Sequence, residues 1–167
     1  MSATISPCGR YRYTLHRKIS TPLRWIRPVM FIMLNPSTAD ASKDDPTIRR
    51  CISFAERWGC TSLTVVNLFA LRSTDPRALI LESDPVGPEN NMHIADQMAK
   101  HQHGFVVAAW GTHPAARVRA EEIIRKYGTF QCLGLTKAGH PRHPLYVASS
   151  ALLRPYPPGE SSEVRAV

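Results

Sequence analysis

The chain has 167 residues, the length of one domain, enough to bury most of its unfolded surface without disulfide or metal staples. Hydrophobic residues make up 43% and charged residues 20%, which excludes a disordered or fibrous chain. Lys and Arg number 21 against 13 Asp and Glu, and the net charge of +8 argues against a basic partner and for an anionic one: nucleic acid, a nucleotide or a membrane surface. A solubilising charged surface would account for the same surplus.

The predicted elements run as follows. Residues 10–19 alternate well enough for a strand, placed at a sheet edge because of its charges. Met30–Leu34 is continuously apolar, as expected of a strand buried on both faces. Asp45 and Pro46 read as an N-cap and first helical position, and the helix runs to about Trp58, with Gly59 as its stop. Ile48, Ile52 and Ala55 share one face of it. Leu63–Val66 is the next strand, then a short helix Pro76–Leu81 and a longer one between Pro88 and Gly104, with Ile94, Met98 and His101 turned inward. Phe105–Ala109 is a strand, Pro114–Tyr127 a helix closed by Gly128, and Phe130–Leu135 a strand. From Arg154 the chain turns to proline, with Gly159 and an acidic-serine run after it, and reads as a frayed end. Residues 1–154 are therefore expected to form a single α/β domain and residues 155–167 a flexible tail. The domain is a three-layer α/β/α sandwich around a short, mostly parallel four- to five-stranded sheet.

The charge surplus is unevenly placed. The first 39 residues carry six basic side chains (Arg10, Arg12, Arg17, Lys18, Arg24, Arg27) and no acid. Residues 40–100 carry a net of −2 and residues 101–167 a net of +4. The longest apolar runs have six residues, far below the ~20 that span a bilayer, so no membrane segment is expected. No apolar secretory core follows the N-terminus, and the four cysteines (Cys8, Cys51, Cys60, Cys132) form no CxxC or Cys/His cluster. The expectation is a cytoplasmic protein with reduced thiols, no metal cluster and no cofactor.

In an open α/β sheet, ligands bind beyond the carboxyl ends of the strands. Those ends carry Asn35-Pro36-Ser37, Asn67-Leu68-Phe69, Trp110-Gly111-Thr112-His113 and the stretch Thr136–Tyr146. Asn35 and Asn67 each offer an amide donor and a carbonyl acceptor, the chemistry that reads a nucleobase edge. Singly, each would be explained by a turn after its strand; together, they point to a site. Trp110, Phe69 and Tyr146 could stack on a base, although Phe69 is better explained as core. His143, bracketed by prolines, can donate to developing negative charge or act as acid or base. His140 reads as a solvated loop residue, while His101 and His103 suit a helix end. Asp40 and Asp44 are candidates to position an attacking water, with Asp45 serving as the cap. Lys43, Lys137 and Arg142 flank the rim and could hold phosphates.

The stretches MFIMLNPSTAD, DDPTIRRC, VVNLFALRSTDP, AAWG and LGLTKAGHPRHPLY, over roughly residues 10–153, resemble the family called domain of unknown function 1643. Their order is more distantly similar to the uracil-DNA glycosylase superfamily, which implies a glycosylase-like fold. By that resemblance Asn35-Pro36 positions the hydrolytic water, Asn67 reads the base, Trp110-Gly111 matches an apolar-Gly strand end, and His143-Pro144 supplies the histidine that stabilises the departing base. The sequence departs from that pattern at Ser37 and Leu145, where glycine and serine are usual, and it lacks the iron–sulfur cysteines of some branches.

The reading is a hydrolase that cleaves an N-glycosidic bond in DNA or a nucleotide. Asn35, Asp40, Asp44 and His143 are its expected catalytic residues. Pro36, Ser37, Asn67, Phe69, Trp110, Gly111, Lys137, Arg142 and Tyr146 are expected to bind substrate. The alternatives are an inactive nucleic-acid-binding module and an enzyme of free nucleotides or nucleosides. Only Leu145–Arg154 follows His143 before the proline tail, too little for a long duplex-penetrating loop, which favours single-stranded or small substrates.

Overall fold

A computed structural model of the chain describes residues 1–21, 26–101 and 104–158. Arg24, His103 and the tail from Gly159 lie outside the described residues. The elements are β1 (Ser2–Ile5), β2 (Arg12–Lys18), β3 (Pro28–Met33), α1 (Pro46–Arg57), β4 (Ser62–Asn67), α2 (Ala78–Leu81), α3 (Asn90–Lys100), β5 (Phe105–Ala108), α4 (Ala116–Tyr127), β6 (Phe130–Cys132) and β7 (Arg154–Tyr156). A single 3₁₀ turn, Pro144–Tyr146, precedes β7.

The strands form one seven-stranded sheet in the order β1-β2-β4-β3-β5-β6-β7. The central four, β4-β3-β5-β6, are parallel, while β2 and β7 run against them at the flanks and β1 pairs antiparallel to β2. The expected parallel centre is present, but the sheet is larger than the four or five strands expected. β1 and β7 account for the difference: both are short, and neither shows a long apolar alternation.

The strand pleat sends alternate residues to opposite faces. Val29, Phe31 and Met33 pack with Ile48, Cys51, Phe54 and Ala55 of α1. Met30 and Ile32 pack on the other face with Ile94 of α3 and Ala116, Ala120 and Ile123 of α4. Helices thus cover both faces of the sheet. The α1 start is as the sequence suggests: the Asp45 side chain accepts from Ile48 N at 2.8 Å, with Pro46 at the first turn. At its far end Gly59 adopts φ +66, a left-handed conformation that favours glycine. Truncating a fully buried side chain such as Phe54 to alanine would cost about 3–5 kcal/mol.

Two expectations need correction. Residues 12–18 are not an edge strand, because β1 pairs outside them. Two of their charges are buried rather than solvated: Arg12 and Arg17 are each only 2% exposed, while Lys18 is exposed. The β1–β2 register shifts between Thr4 and Ile5, opposite Arg12–Thr14. A one-residue slip changes which face a side chain takes, and here Arg12 and Arg17, an odd number of residues apart, both reach the loop after β3. Arg12 donates to Ala39 O at 2.9 Å; Arg17 donates to Asp40 O at 2.6 Å and to Asp44 Oδ1 at 2.7 Å. The second correction concerns the C-terminal segment. Arg154–Tyr156 is not frayed but pairs with β6, and Tyr156 is buried edge-on against Trp110.

Candidate functional site

From β3 the chain crosses to β4 on one side through α1, and from β4 it crosses back over β3 to β5 through α3. Chain connections therefore diverge on either side of β3, and the carboxyl ends of β3, β4 and β5 open into a crevice, where α/β sheets place their ligands. A pocket of about 310 Å³ occupies it. Asn35, Asn67 and His143, far apart in sequence, all line this pocket, together with Ser37, Trp110, Gly111 and Tyr146.

One polar side chain of the pocket is buried with every one of its polar atoms unpaired. Asn67, the last residue of β4, is 1% exposed, and neither its amide nitrogen nor its carbonyl oxygen has a hydrogen-bond partner. An unpaired buried polar group costs roughly 1–3 kcal/mol, so such groups are scarce and call for a reason. Its main chain is firmly held: Asn90 Nδ2 donates to Asn67 O at 3.0 Å and to Leu68 O at 3.1 Å. Both ends of the carboxamide thus keep unspent hydrogen-bonding capacity at the pocket wall.

Asn35 is placed differently. Its Nδ2 donates to Ser73 O at 2.9 Å and to Pro36 O at 3.1 Å, tying the exit of β3 to the loop after β4. Its carbonyl oxygen takes no part in those bonds. Ser73 N completes the tie by donating to Pro36 O at 2.9 Å.

His143 heads the turn at Pro144, and its Nδ1 accepts from Leu145 N at 3.3 Å. That bond assigns the remaining ring proton of the neutral imidazole to Nε2, which makes Nε2 a donor. Desolvation holds the imidazole below its ordinary pKa of 6.5, against the opposing charge of Asp45. Gly111 turns the β5 exit with φ +78, a left-handed conformation that favours glycine, and a Cβ there would meet His143 Cβ at an ordinary contact distance of 3.7 Å. Tyr146, 76% exposed, tilts over the His143 ring with centroids 5.6 Å apart. Arg50 secures this segment by donating to Val147 O at 2.7 Å.

The acids separate clearly. Asp45, read from sequence as a cap, is both cap and pocket wall. Asp40 and Asp44 do not line the pocket. Asp40 Oδ1 accepts from Ser42 N, Ser42 Oγ and Lys43 N inside its own turn, and the Ser42 and Lys43 amides, with the Ser42 hydroxyl, hold its carboxyl below the usual range. Asp44 is paired with buried Arg17. Phe69 is also away from the pocket, packed in the core between sheet and helices. Trp110 lines the pocket but is 2% exposed and braced by Tyr156, so it forms wall rather than a free stacking face. Pro36 is buried beside the site, and exposed Lys43, Lys137 and Arg142 do not line it.

Sequence reasoning passed over Arg12, Thr47, Ser73, Thr74 and Pro76, which also line the pocket. Arg12 is the consequential omission. Its Nε is buried without a partner, and burial lowers its pKa to about 10 despite the neighbouring Asp45 carboxylate. Its signal was an arginine inside an alternating strand pattern, which reads as an edge charge until the pairing of β1 is known.

Among the described residues, no helix is long and apolar enough to cross a membrane, and no group of three or more His, Cys, Asp or Glu could hold a metal ion. All four cysteines are unpaired; Cys51, Cys60 and Cys132 are buried and Cys8 is exposed. A family model described as "Protein of unknown function (DUF1643)" matches residues 12–145. No curated protein and no solved structure matches the chain, so the likeness to the uracil-DNA glycosylase superfamily rests on the strand-end motifs alone.

Proposed function

The chain belongs to the DUF1643 family of proteins of unknown function, and for it we propose hydrolysis of the N-glycosidic bond of a nucleobase in a nucleotide or in DNA. The observation that carries this reading is the buried, unpartnered carboxamide of Asn67 in a pocket of about 310 Å³, at the low end of small-ligand sites. A carboxamide presenting both donor and acceptor matches the lactam or amidine edge of a base.

The roles follow from the surrounding groups. Asn67 holds the base edge, and Tyr146 covers its face from the solvent side. Water attacks the sugar carbon that bears the base, forming a C–O bond as the C–N bond breaks and its electron pair passes to the base. Asp45 accepts the proton of the water, which the Asn35 carbonyl helps to orient. The neutral His143 donates from Nε2 to the negative charge growing on the base oxygen. A base in a nucleic acid would have to leave its stack to reach this pocket.

The test is incubation of the full chain with nucleotides and oligonucleotides bearing uracil, damaged and modified bases, with chromatography of the released base. The expected result is a free base and a base-less sugar from at least one substrate. No free base from a broad panel, with protein shown to be folded, overturns the reading.

A further inference from the structure

A second, shallower groove of about 480 Å³ adjoins the pocket and is lined by Gly9, Arg10, Ser37, Thr38, Arg72, Ser73 and Thr74. Ser37, Ser73 and Thr74 line both, so the two spaces share a wall. The groove lining holds two arginines and no acid. Arg72 has its Nε buried without a partner, as does Arg12 just across the shared wall. We propose that this groove binds a phosphate group, so that the base and the phosphate of one nucleotide unit occupy adjoining sites. The inference rests on the reading of the pocket as a nucleobase site.

The groove is held by the main chain. Arg12 N donates to Ala70 O and Arg72 N to Arg10 O, both at 2.9 Å, extending the β2–β4 pairing past the strands. Arg72 Nη1 donates to Gly9 O at 3.1 Å, which orients the guanidinium along the groove. A guanidinium held this way keeps further N–H groups for an anion and suits phosphate through paired, charge-assisted bonds. Thr38 and Thr74 are exposed and add hydroxyls, whereas the Ser73 hydroxyl is already bonded to Asp75 O at 2.8 Å. Arg10 is paired with Glu82 at 2.7 Å in an exposed contact, from which an incoming phosphate could draw it. Asp40 lies near enough to feel Arg72, but its carboxylate is engaged in its own turn and it does not line the groove.

The test measures binding to the full chain by calorimetry and phosphorus NMR. The probes are inorganic phosphate, deoxynucleoside monophosphates of the common bases, the matching nucleosides, and a single-stranded oligonucleotide. A monophosphate is expected to bind at least about tenfold more tightly than its nucleoside at low salt. Arg72→Gln and Arg10→Gln should each remove most of that advantage and leave nucleoside affinity unchanged. Arg72 also braces Gly9, so Arg10→Gln, at a side chain 54% exposed, serves as the variant safe for folding. If the same variants weaken the oligonucleotide and no monophosphate binds, the phosphate is a backbone diester, and the proposal still stands. Phosphate binding lost in Arg72→Gln, with no nucleoside bound, keeps the groove and overturns the base pocket instead. Equal affinity for nucleoside and monophosphate, an advantage that survives both variants, or no binding by any phosphate probe overturns the proposal.

Discussion

The loops after β3 and β4 begin alike, each with an asparagine at the carboxyl end of a parallel strand, yet the two asparagines do opposite work. Asn35 has its amide nitrogen bonded to Ser73 O of the other loop and to Pro36 O of its own. Asn67 has both ends of its carboxamide buried and unpaired. The loop after β3 is braced throughout: Arg12 and Arg17 hold its carbonyls, Asp40 closes its turn, and Asp44 neutralises Arg17. The loop after β4 is anchored from below by Asn90 and leaves Asn67 to face the pocket. Residue type and strand position do not tell the satisfied amide from the unsatisfied one; the hydrogen bonds of the fold do.

This contrast can be broken by mutation. The largest expected effect is on function at Asn67. Asn67→Ala should weaken base binding or turnover by roughly 100- to 1000-fold while thermal stability stays level or rises, because an unpaired buried amide is removed. If the variant unfolds before it loses binding, Asn67 is a structural residue and the contrast fails. Next come the neighbouring acids. Asp44→Asn should cost about 3 kcal/mol in denaturant unfolding, since it leaves the buried Arg17 charge without its carboxylate. Asp45→Asn should cost only about 1 kcal/mol, because asparagine also caps helices, but should lose at least about tenfold more turnover than Asp44→Asn. The reverse ranking would return the water-positioning role to Asp44. Asn35→Ala, which cuts the tie between the two loops, should cost about 1–2 kcal/mol of stability. A stability change larger at Asn67 than at Asn35 would reverse the assignment.

Much of the fold was legible because the sequence obeys simple periodicities. The apolar run Met30–Leu34, the Asp45-Pro46 helix start and the Gly59 stop all lie where the structure has them, within a residue or two. The edge strands were not legible: Ser2–Ile5 and Arg154–Tyr156 are short, and strand pairing across the whole chain decides them. The convergence of Asn35, Asn67 and His143 was foreseeable, since parallel strands deliver their carboxyl ends to one rim. Which acid faces the pocket was not. Asp40, Asp44 and Asp45 lie within one loop, and only the buried Arg17 decides that Asp44 turns away. Arg12 and Arg72 escaped for a related reason: a basic side chain is assumed solvated until its neighbours are known.

The smallest expected effect is a pH dependence that separates His143 from the rest of the rim. His143 is held below its ordinary pKa of 6.5 by desolvation, and His16 and His101 shift in the same direction for the same cause. A histidine depressed in the folded state binds fewer protons there than in the unfolded chain between the two pKa values. The histidine contribution to stability is therefore flat above about pH 6.5 and falls as the pH drops through the lower, folded values. His143→Asn keeps an oxygen where Nδ1 accepts from Leu145 N and removes one titrating ring. Its unfolding free energy should fall less steeply on acidification than that of the parent, with His16 and His101 accounting for the slope that remains. Turnover should follow a related course: a proton on Nδ1 below pH 6.5 removes the acceptor for Leu145 N that places the ring, so the parent should lose activity there, and His143→Asn should be slower with that acid limb diminished. Identical pH slopes of stability in parent and variant would show that His143 is not desolvated, and an unchanged acid limb of turnover would remove it from the chemistry.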